Sequence, residues 1–309
     1  GYPASMVKLM DLLIILEMVE DGKLSLNDRV LTTAGSARMG GTQVFLKEGE
    51  EFSVDELLYA LIVHSANDAA VALAIHIAGS KRAFVELMNR RAEELGMNST
   101  RFHSVHGLPP GRGQKPDVST ARDMAKLSLA VVNQPGALKY TSTEFRKFRN
   151  GTFDMRTHNP VLGNFDGADG LKTGYFRKAG FSLSATAVRD GKRIIAVILG
   201  SRNKKVRNRR IKELLALGFV EAPPGDSAVS VAPVQNRTQE PVVVAEPEEV
   251  LEIEEKQPQP EKKEKSRASG RIGLYGFLLI AVALAGIIFL IRLFLRRGRD
   301  KGQFYKLPH

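Results

Sequence analysis

The first segment of the chain is hydrophobic on nearly all sides. Apolar residues are spread over every face of a helix drawn through residues 5–20, and no face is polar enough to be exposed to solvent. A surface helix is apolar on one face only, so a helix with this pattern is buried all round. Pro3 suits the first turn, where its missing N–H would have no helical partner. The pattern predicts a central, buried helix at the start of the domain.

Several amphipathic helices are predicted to follow. Ser53 and Glu56 have the spacing of a capping box and predict a helix that runs to about Val63. Helical periodicity also covers residues 68–78, 83–95 and 120–132. Gly96 and Asn133 stand where C-terminal caps are expected. This part of the chain therefore indicates a helical cluster.

The hydrophobic period changes in the last part of the domain. Residues 181–188 and 193–199 are strand-like and are joined through Asp190-Gly191, a strong hairpin signal. Residues 203–217 predict a closing helix that ends before Gly218. The expected fold class is α/β of the α+β type, with an antiparallel sheet, flanking helices and a helical subdomain in residues 1–220.

Beyond this domain the composition changes twice. Residues 221–271 are rich in Pro, Glu, Gln and Lys with almost no aromatic side chains, which predicts an extended linker. Residues 272–291 carry no charge and are long enough to cross a bilayer, so they predict one transmembrane helix. Residues 292–309 form a short basic tail. The flanking residues 256–271 and 292–309 each carry six Lys or Arg, so charge does not orient the span.

The amino-acid composition excludes several kinds of site. The chain has no Cys, which excludes disulfides, thiolate metal sites and cysteine nucleophiles. The formal net charge is +11, but the basic runs lack a nucleic-acid motif and interleaved aromatic residues, so no nucleic-acid partner is expected. Four of the six histidines are scattered without ligand spacing and are interpreted as structural, with no metal site and no cofactor expected: His64, His76, His103 and His106.

A candidate nucleophile opens the predicted central helix. Ser5-Met6-Val7-Lys8 is an S-x-x-K sequence, and residues three apart share one helix face. A serine hydroxyl is a weak nucleophile until a base takes its proton, and a lysine is such a base only when its pKa is lowered by burial or by a nearby cation. The motif alone is weak, since Ser201 and Lys204 repeat it.

Two further short motifs carry polar side chains suited to the same chemistry. Ser65-Ala66-Asn67 stands at a predicted helix junction, although Ser25-Leu26-Asn27 has the same form. Lys172-Thr173-Gly174 occurs once, and on a strand it would place a cation and a hydroxyl at a cleft rim, while the glycine would let the substrate backbone approach closely. Each motif alone also fits a structural turn or strand end. Their order, S-x-x-K, S-x-N and K-T-G, is that of the β-lactam-recognising serine acyltransferases.

With these motifs the chain resembles the D-alanyl-D-alanine carboxypeptidase family of penicillin-binding proteins, which have a β-lactamase/transpeptidase-like fold. Supporting phrases run through residues 3–219: Pro3-Ala4-Ser5, Gly40-Gly41-Thr42, Ser65-Ala66-Asn67-Asp68-Ala69-Ala70, His106-Gly107-Leu108-Pro109, Ser119-Thr120-Ala121-Arg122-Asp123-Met124, Asp169-Gly170-Leu171-Lys172-Thr173-Gly174-Tyr175 and Ala179-Gly180.

The resemblance implies a reaction and roles for the motif residues. Ser5 would attack the carbonyl between two D-alanines at the end of a peptidoglycan stem peptide, and Lys8 would accept its proton. Ser65 would help to protonate the leaving D-alanine. The remaining implied substrate contacts are Asn67, Lys172, Thr173 and Gly174, an oxyanion hole from the N–H groups of Ser5 and Tyr175, and Arg207 on the terminal carboxylate. For Arg207, a solvated place in a basic helix is an equal alternative. β-Lactams are the expected inhibitors.

The chain also departs from the family pattern. The strands that precede the nucleophile in relatives are expected upstream of Gly1, and the second, β-rich domain of many relatives is replaced by the linker and span. Phe176 stands where relatives often have a small polar residue, which leaves the substrate preference open. Because peptidoglycan lies outside the cytoplasmic membrane, the domain is expected on the extracytoplasmic side.

Three other functions remain open. A class A β-lactamase needs a Glu that activates the deacylating water, and Glu144 is the one candidate, without the expected Asn after it. A D,D-endopeptidase that cuts crosslinks would use the same motifs. A non-catalytic, membrane-tethered peptidoglycan-binding protein is the third.

Overall fold

A computed structural model describes residues 1–221, which form eight α-helices and seven β-strands. The helices are α1 (Lys8–Glu20), α2 (Ala34–Ala37), α3 (Val54–Tyr59), α4 (Asn67–Ala78), α5 (Lys81–Glu94), α6 (Ala121–Asn133), α7 (Ala137–Thr141) and α8 (Lys204–Glu221). The strands are β1 (Arg29–Leu31), β2 (Glu51–Ser53), β3 (Phe145–Phe148), β4 (Phe153–Arg156), β5 (Ala168–Phe176), β6 (Gly180–Arg189) and β7 (Lys192–Ser201).

The predicted central helix is α1, preceded by one 3-10 turn over Ala4–Val7. Its residues from Lys8 to Leu16 are all buried, polar and apolar alike. Helices α4, α5, α6 and α7 pack around it and form the larger hydrophobic core. The all-round apolar pattern is thus explained by a helix enclosed on every side.

The main sheet is antiparallel, in the order β5-β6-β7. Alternate residues of β6 face opposite sides, because the side-chain period of a strand is two. Leu183, Ala185 and Ala187 pack with Ile211 and Leu215 of α8 in a second, smaller core. On the other face, Ser184 exchanges a hydrogen bond with Ser128 of α6. The sheet therefore lies between α8 and the helical part, which confirms the predicted α+β fold of this domain.

The local sequence signals predicted some caps and turns correctly and missed other elements. The Ser53–Glu56 capping box is present, and α3 continues as a π-helical turn over Ala60–His64. Asp190 and Gly191 both have positive φ, as a two-residue hairpin turn requires. Gly96 has φ +66° just after α5, which confirms it as a C-terminal cap residue. The antiparallel strand pairs β1–β2 and β3–β4 and the short helices α2 and α7 were not predicted.

Two predicted helix ends are wrong in their cause or position. Helix α6 does end at Asn133, but Gln134 is extended before Pro135, so the proline rather than an asparagine cap ends the helix. Helix α8 does not end before Gly218 but continues to Glu221. A Cβ at Gly218 would lie 2.6 Å from Cγ2 of Ile194, so this glycine lets α8 approach β7 closely.

The remaining predicted segments lie outside the described residues: the linker after Glu221, the transmembrane helix 272–291 and the tail 292–309. Among residues 1–221, no helix is long and apolar enough to span a bilayer.

Candidate active site

Ser5 and Lys8 meet at the junction between the 3-10 turn and α1. The Lys8 amine lies 3.1 Å from Ser5 Oγ, as residues three apart on one helical face allow. Ala4, directly before the serine, has φ +50°, a left-handed conformation that is uncommon for a residue with a side chain. Such strain concentrates at functional sites, where the surrounding structure enforces it.

The Lys8 amine has three acceptors and no contact with solvent. Besides Ser5 Oγ, it donates to Asn67 Oδ1 at 2.8 Å and to the His106 carbonyl at 2.9 Å, and its exposure is 0%. Burial lowers the pKa of Lys8 to about 7, because a charged amine loses its hydration there. Asp11, Asp117 and Asp68 oppose this shift. At neutral pH, a substantial fraction of Lys8 is therefore free amine able to take the Ser5 proton.

Asn67 connects the lysine to a neighbouring loop. Its Oδ1 accepts from Lys8, and its Nδ2 donates to the Gly40 carbonyl at 2.8 Å. Gly41 has φ +75°, and a Cβ there would lie 2.7 Å from Asn67 Nδ2. The glycine thus leaves room for the amide, and Asn67 holds Lys8 in place. Its predicted contact with substrate stays a prediction.

Ser65 is presented by the π-helical turn that ends α3. It has φ +64° and ψ +34°, so the chain reverses at this residue and α4 begins two residues later. Its hydroxyl lines the cleft described below and has no hydrogen-bond partner within residues 1–221. A hydroxyl left free at a cleft wall is available to a ligand or a water molecule.

The K-T-G sequence lies on β5, beside the nucleophile. Lys172 is 2% exposed, and within residues 1–221 its amine donates only to the Thr173 carbonyl, at 3.3 Å. Its pKa is lowered well below the ordinary value, first by burial and then by the nearby Lys8 charge. Tyr175 is exposed, with its ring stacked 4.2 Å from that of Phe181. The oxyanion hole predicted at the N–H groups of Ser5 and Tyr175 stays a prediction.

The need for glycine at position 174 has a different cause from the one expected. A Cβ at Gly174 would lie 2.3 Å from the Pro3 carbonyl and 3.2 Å from the Ala4 side chain. The contact that excludes a side chain here is therefore with the protein's own chain before Ser5. Gly174 lets β5 approach the nucleophile turn, and the expected close approach of substrate is not needed to explain it.

A cleft of about 510 Å³ opens between these elements. Six of the nine predicted residues line it: Ser5, Ser65, Thr173, Gly174, Tyr175 and Arg207. The other three, Lys8, Asn67 and Lys172, are buried behind its wall. Among the described residues, its lining contains cationic Lys204 and Arg207 but no Asp or Glu. The arrangement favours a ligand with a negative charge.

Arg207 is buried rather than solvated in the basic helix. It is 3% exposed, donates to the Ser182 carbonyl at 3.1 Å and also binds the Asn208 side chain. Burial lowers its pKa to about 10, so it remains a cation at neutral pH. It has no carboxylate partner among residues 1–221, which leaves part of its planar fork free for an anion.

Several residues of the site were not predicted. The His106 carbonyl accepts from both Ser5 and Lys8, although His106 was interpreted as structural. One cleft wall is Thr157, His158, Asn159 and Pro160, and Thr42 and Asn208 also line it. Glu144 is exposed and does not line the cleft. Within residues 1–221 no group of His, Asp or Glu side chains is suited to a metal.

Comparison with known proteins points to one family. The sequence profile described as D-alanyl-D-alanine carboxypeptidase matches residues 1–203. The D-alanyl-D-alanine carboxypeptidase DacF of Bacillus subtilis is 37% identical over 220 residues, which are 70% of this chain and 56% of that protein. The chain thus spans little more than half the length of this curated relative.

Solved structures agree with this similarity. Penicillin binding protein 6B from Escherichia coli is 36% identical with a TM-score of 0.66, covering 71% of this chain and 70% of that one. Penicillin-Binding Protein D2 from Listeria monocytogenes, in its ampicillin-bound form, is 33% identical with a TM-score of 0.63, covering 70% and 86%.

The position of the His106 carbonyl depends on Gly107. A Cβ there would lie 2.1 Å from the Ala4 carbonyl, and φ is +74°. We expect Gly107→Ala to lower the free energy of unfolding by about 3 kcal/mol or more, through clash and backbone strain together. Gly113→Ala is the matched control, because φ is +79° but no atom lies within 4 Å. It should cost only about 1 kcal/mol. Urea unfolding measures both, and equal losses would contradict the proposed clash.

Proposed function

The chain belongs to the D-alanyl-D-alanine carboxypeptidase family, and from this premise we propose that it is a serine D-Ala-D-Ala carboxypeptidase. It removes the terminal D-alanine from the stem peptides of peptidoglycan through an acyl-enzyme on Ser5. The observation that carries the proposal is the buried Lys8 amine, 3.1 Å from Ser5 Oγ and with a pKa of about 7. A base with a pKa near the working pH is the most effective at that pH.

The first step is acylation. Ser5 Oγ attacks the carbonyl carbon of the bond between the two D-alanines, while its proton passes to the Lys8 free amine. The carbonyl oxygen becomes an oxyanion, and the N–H groups of Ser5 and Tyr175 are the proposed donors to it. One such donor is worth about 3 kcal/mol in the transition state. The ammonium formed on Lys8 is held by Asn67 and the His106 carbonyl.

The second step releases the terminal D-alanine. The bond to its nitrogen breaks, and the proton taken up by Lys8 passes to the leaving amine through the Ser65 hydroxyl. Support for this relay is that Ser65 lines the same cleft as Ser5 and that its hydroxyl forms no hydrogen bond within residues 1–221. Water then attacks the Ser5 ester, with Lys8 again as base, and frees the trimmed peptide and the serine.

The charge of the cleft supports a substrate that ends in a free carboxylate. Arg207 and Lys204 line a surface with no acidic residue, and Lys172 lies directly behind it. A terminal D-alanine carboxylate would accept from the Arg207 fork and from Thr173. Asn67 and Lys172 would act mainly by fixing the residues that touch the substrate.

β-Lactams are proposed inhibitors of the same serine. The related protein D2 has been solved in an ampicillin-bound form, and each of the three motifs contributes at least one residue to the cleft here: Ser5, Ser65, Thr173 and Gly174. Among residues 1–221 no glutamate lines the cleft to activate a deacylating water, and Glu144 is not part of its lining. This favours slow release of the drug over β-lactamase activity. A D,D-endopeptidase activity on crosslinks uses the same groups and is the second outcome of the test below.

We also propose that residues 272–291 anchor the chain in the cytoplasmic membrane, with the domain on the extracytoplasmic side. The support is the uncharged run of that segment and the location of the proposed substrate.

Replacing the nucleophile tests the reaction. We expect Ser5→Ala to abolish both D-alanine release from a peptide ending in D-Ala-D-Ala and covalent labelling by a fluorescent penicillin, a loss of at least about 10³-fold. Ser201→Ala is the matched control, because Ser201 begins the other S-x-x-K sequence but bonds only to the Asn203 carbonyl. It should retain both activities.

The products distinguish the competing functions. Release of D-alanine from stem pentapeptides supports the carboxypeptidase, whereas cleavage of crosslinked muropeptides alone, seen by mass spectrometry, would replace it with an endopeptidase. Rapid steady-state turnover of a chromogenic cephalosporin would instead indicate a β-lactamase. A folded protein that neither labels nor releases D-alanine would leave only the non-catalytic binding function.

Arg207 can be tested through the substrate terminus. For a peptide with a free terminal carboxylate, we expect Arg207→Gln to lower kcat/KM by about 10- to 100-fold, because a charged hydrogen bond is lost. For the same peptide with a C-terminal amide, the variant and the wild type should differ little. Arg209→Gln is the control, since Arg209 is exposed and pairs with Glu213. Equal losses on both peptides would assign Arg207 a purely structural role.

The anchor can be tested by fractionation. The full chain should sediment with membranes and resist extraction by high salt or carbonate. Deletion of residues 272–291 should move it to the supernatant, because the uncharged run is removed while the charged flanks remain. Membrane association that survives the deletion would contradict the proposed anchor.

A further inference from the structure

Asp11 is a carboxyl group in an unusual place. It lies on α1 one turn after Lys8 and is only 2% exposed. Neither of its oxygens has a hydrogen-bond partner within residues 1–221. Buried polar groups in proteins are nearly always paired, so an unpaired buried carboxyl calls for a functional explanation.

The other carboxylates around Lys8 are held differently. Asp68 accepts from the N–H groups of Val44, Leu46 and Ala69. Asp117 accepts from the N–H groups of His103 and Ser104 and from the Ser104 hydroxyl. These bonds fix both groups as acceptors. Among the three acidic groups that act on Lys8, Asp11 alone lacks such bonds.

The charge state of Asp11 is tied to that of Lys8. Burial raises the pKa of Asp11 well above its ordinary value, the Lys8 charge opposes this, and Asp117 adds to it. In turn, Asp11 is the strongest of the groups that raise the pKa of Lys8 against burial. Each group therefore acts on the protonation of the other, although no hydrogen bond or ion pair joins the two side chains within residues 1–221. Lys172 of β5 and the imidazoles of His106 and His158 also interact with the Lys8 charge.

We propose that Asp11 is a positioning residue of the catalytic centre, whose buried carboxylate, one turn after Lys8 on α1, sets how strong a base the Lys8 amine is. This inference rests on the proposed acylation of Ser5. It deepens that function by giving a role to a residue that does not touch the substrate.

The proton count through the reaction is consistent with such a pair. Before attack, Lys8 is a free amine and Asp11 is a carboxylate. When Lys8 takes the Ser5 proton, an ammonium forms near this carboxylate and the pair becomes neutral, while the negative charge lies on the oxyanion. When that proton passes to the leaving amine, the pair returns to its first state. The carboxylate therefore stabilises the charge on Lys8 at the step that forms it.

Replacement of Asp11 by Asn keeps the shape of the side chain and removes its charge. Without the carboxylate, Lys8 loses its proton at lower pH and is a weaker base. We therefore expect the Asp11→Asn variant to differ in two ways when acylation by a fluorescent penicillin is followed from pH 5 to pH 9. The acid limb of the pH–rate profile, where the acylation rate rises with pH, should move to lower pH by about one unit. The rate on the plateau above this limb should fall by about 3- to 10-fold.

A matched carboxylate on the same helix provides the control. Glu17 lies at the far end of α1 and pairs with Arg91 at 2.7 Å. Glu17→Gln should leave the position of the acid limb unchanged. If Asp11 served only to pack α1, its replacement would lower the plateau without moving the limb, and that result would overturn the proposal.

A second measurement does not depend on activity. The pKa of Asp11 is raised in the folded state, so its contribution to stability is present at low pH and is lost as pH rises from about 4 through the raised value. The Asn variant lacks this loss. The Tm of Asp11→Asn relative to wild type should therefore increase by at least about 2 °C between pH 4 and pH 8. A constant difference would overturn the proposal.

Failure of this inference and failure of the proposed function give different results. If wild-type protein is not acylated at any pH, the proposed serine chemistry fails and the Asp11 role falls with it. If wild-type protein is acylated but the acid limb of Asp11→Asn coincides with the wild-type limb, the proposed carboxypeptidase function is retained and only the Asp11 role is rejected. A shifted limb together with the pH-dependent change in Tm supports both.

Discussion

A lysine amine without access to water must find protein acceptors for its protons, and the active site is arranged to supply them. Lys8 has acceptors from three separate segments, the serine turn, the start of α4 and the 103–108 loop. An unpaired buried amine would cost several kcal/mol, so each segment is held in place by this one group. The same burial that demands the acceptors also lowers the pKa of Lys8 to about 7, which makes it a base. Burial of the Lys8 amine is therefore the cause both of its need for acceptors and of its strength as a catalytic base at neutral pH.

These segments can meet only because their backbones come unusually close together. Gly107 and Gly174 both face the turn before Ser5, where a Cβ would lie 2.1 Å and 2.3 Å from the carbonyls of Ala4 and Pro3. The turn is thus clamped between a loop and a strand, both at van der Waals distance. That clamp enforces the left-handed conformation of Ala4 and aims Ser5 into the cleft. The glycines of the motifs are explained by contacts within the protein.

Sequence reasoning succeeded where the signal is local and failed where it depends on tertiary contacts. The buried helix, the Ser53 cap and the Asp190-Gly191 turn follow from patterns of a few residues, and all three are present. A glycine such as Gly218 commonly ends a helix, but here it lies within α8 and allows close packing against Ile194. Every residue has a backbone carbonyl, so no sequence pattern identifies the His106 carbonyl as part of the site. Motif order indicated Ser5 and Lys8, whereas the burial of Arg207 required knowledge of where α8 lies.

The distribution of charge across the site gives the arrangement a direction. The cleft is lined by the cations Lys204 and Arg207, and among residues 1–221 no acidic residue lines it. The carboxyls that act on Lys8 are Asp11, Asp68 and Asp117, which are buried and do not line the cleft. An anionic substrate is attracted by the cations of the lining. Positive charge that develops on Lys8 is stabilised by the buried carboxyls. Carboxylates in the lining would stabilise the ammonium equally well but repel the substrate, so separation of the two charges is what allows one lysine to serve as base for an anion.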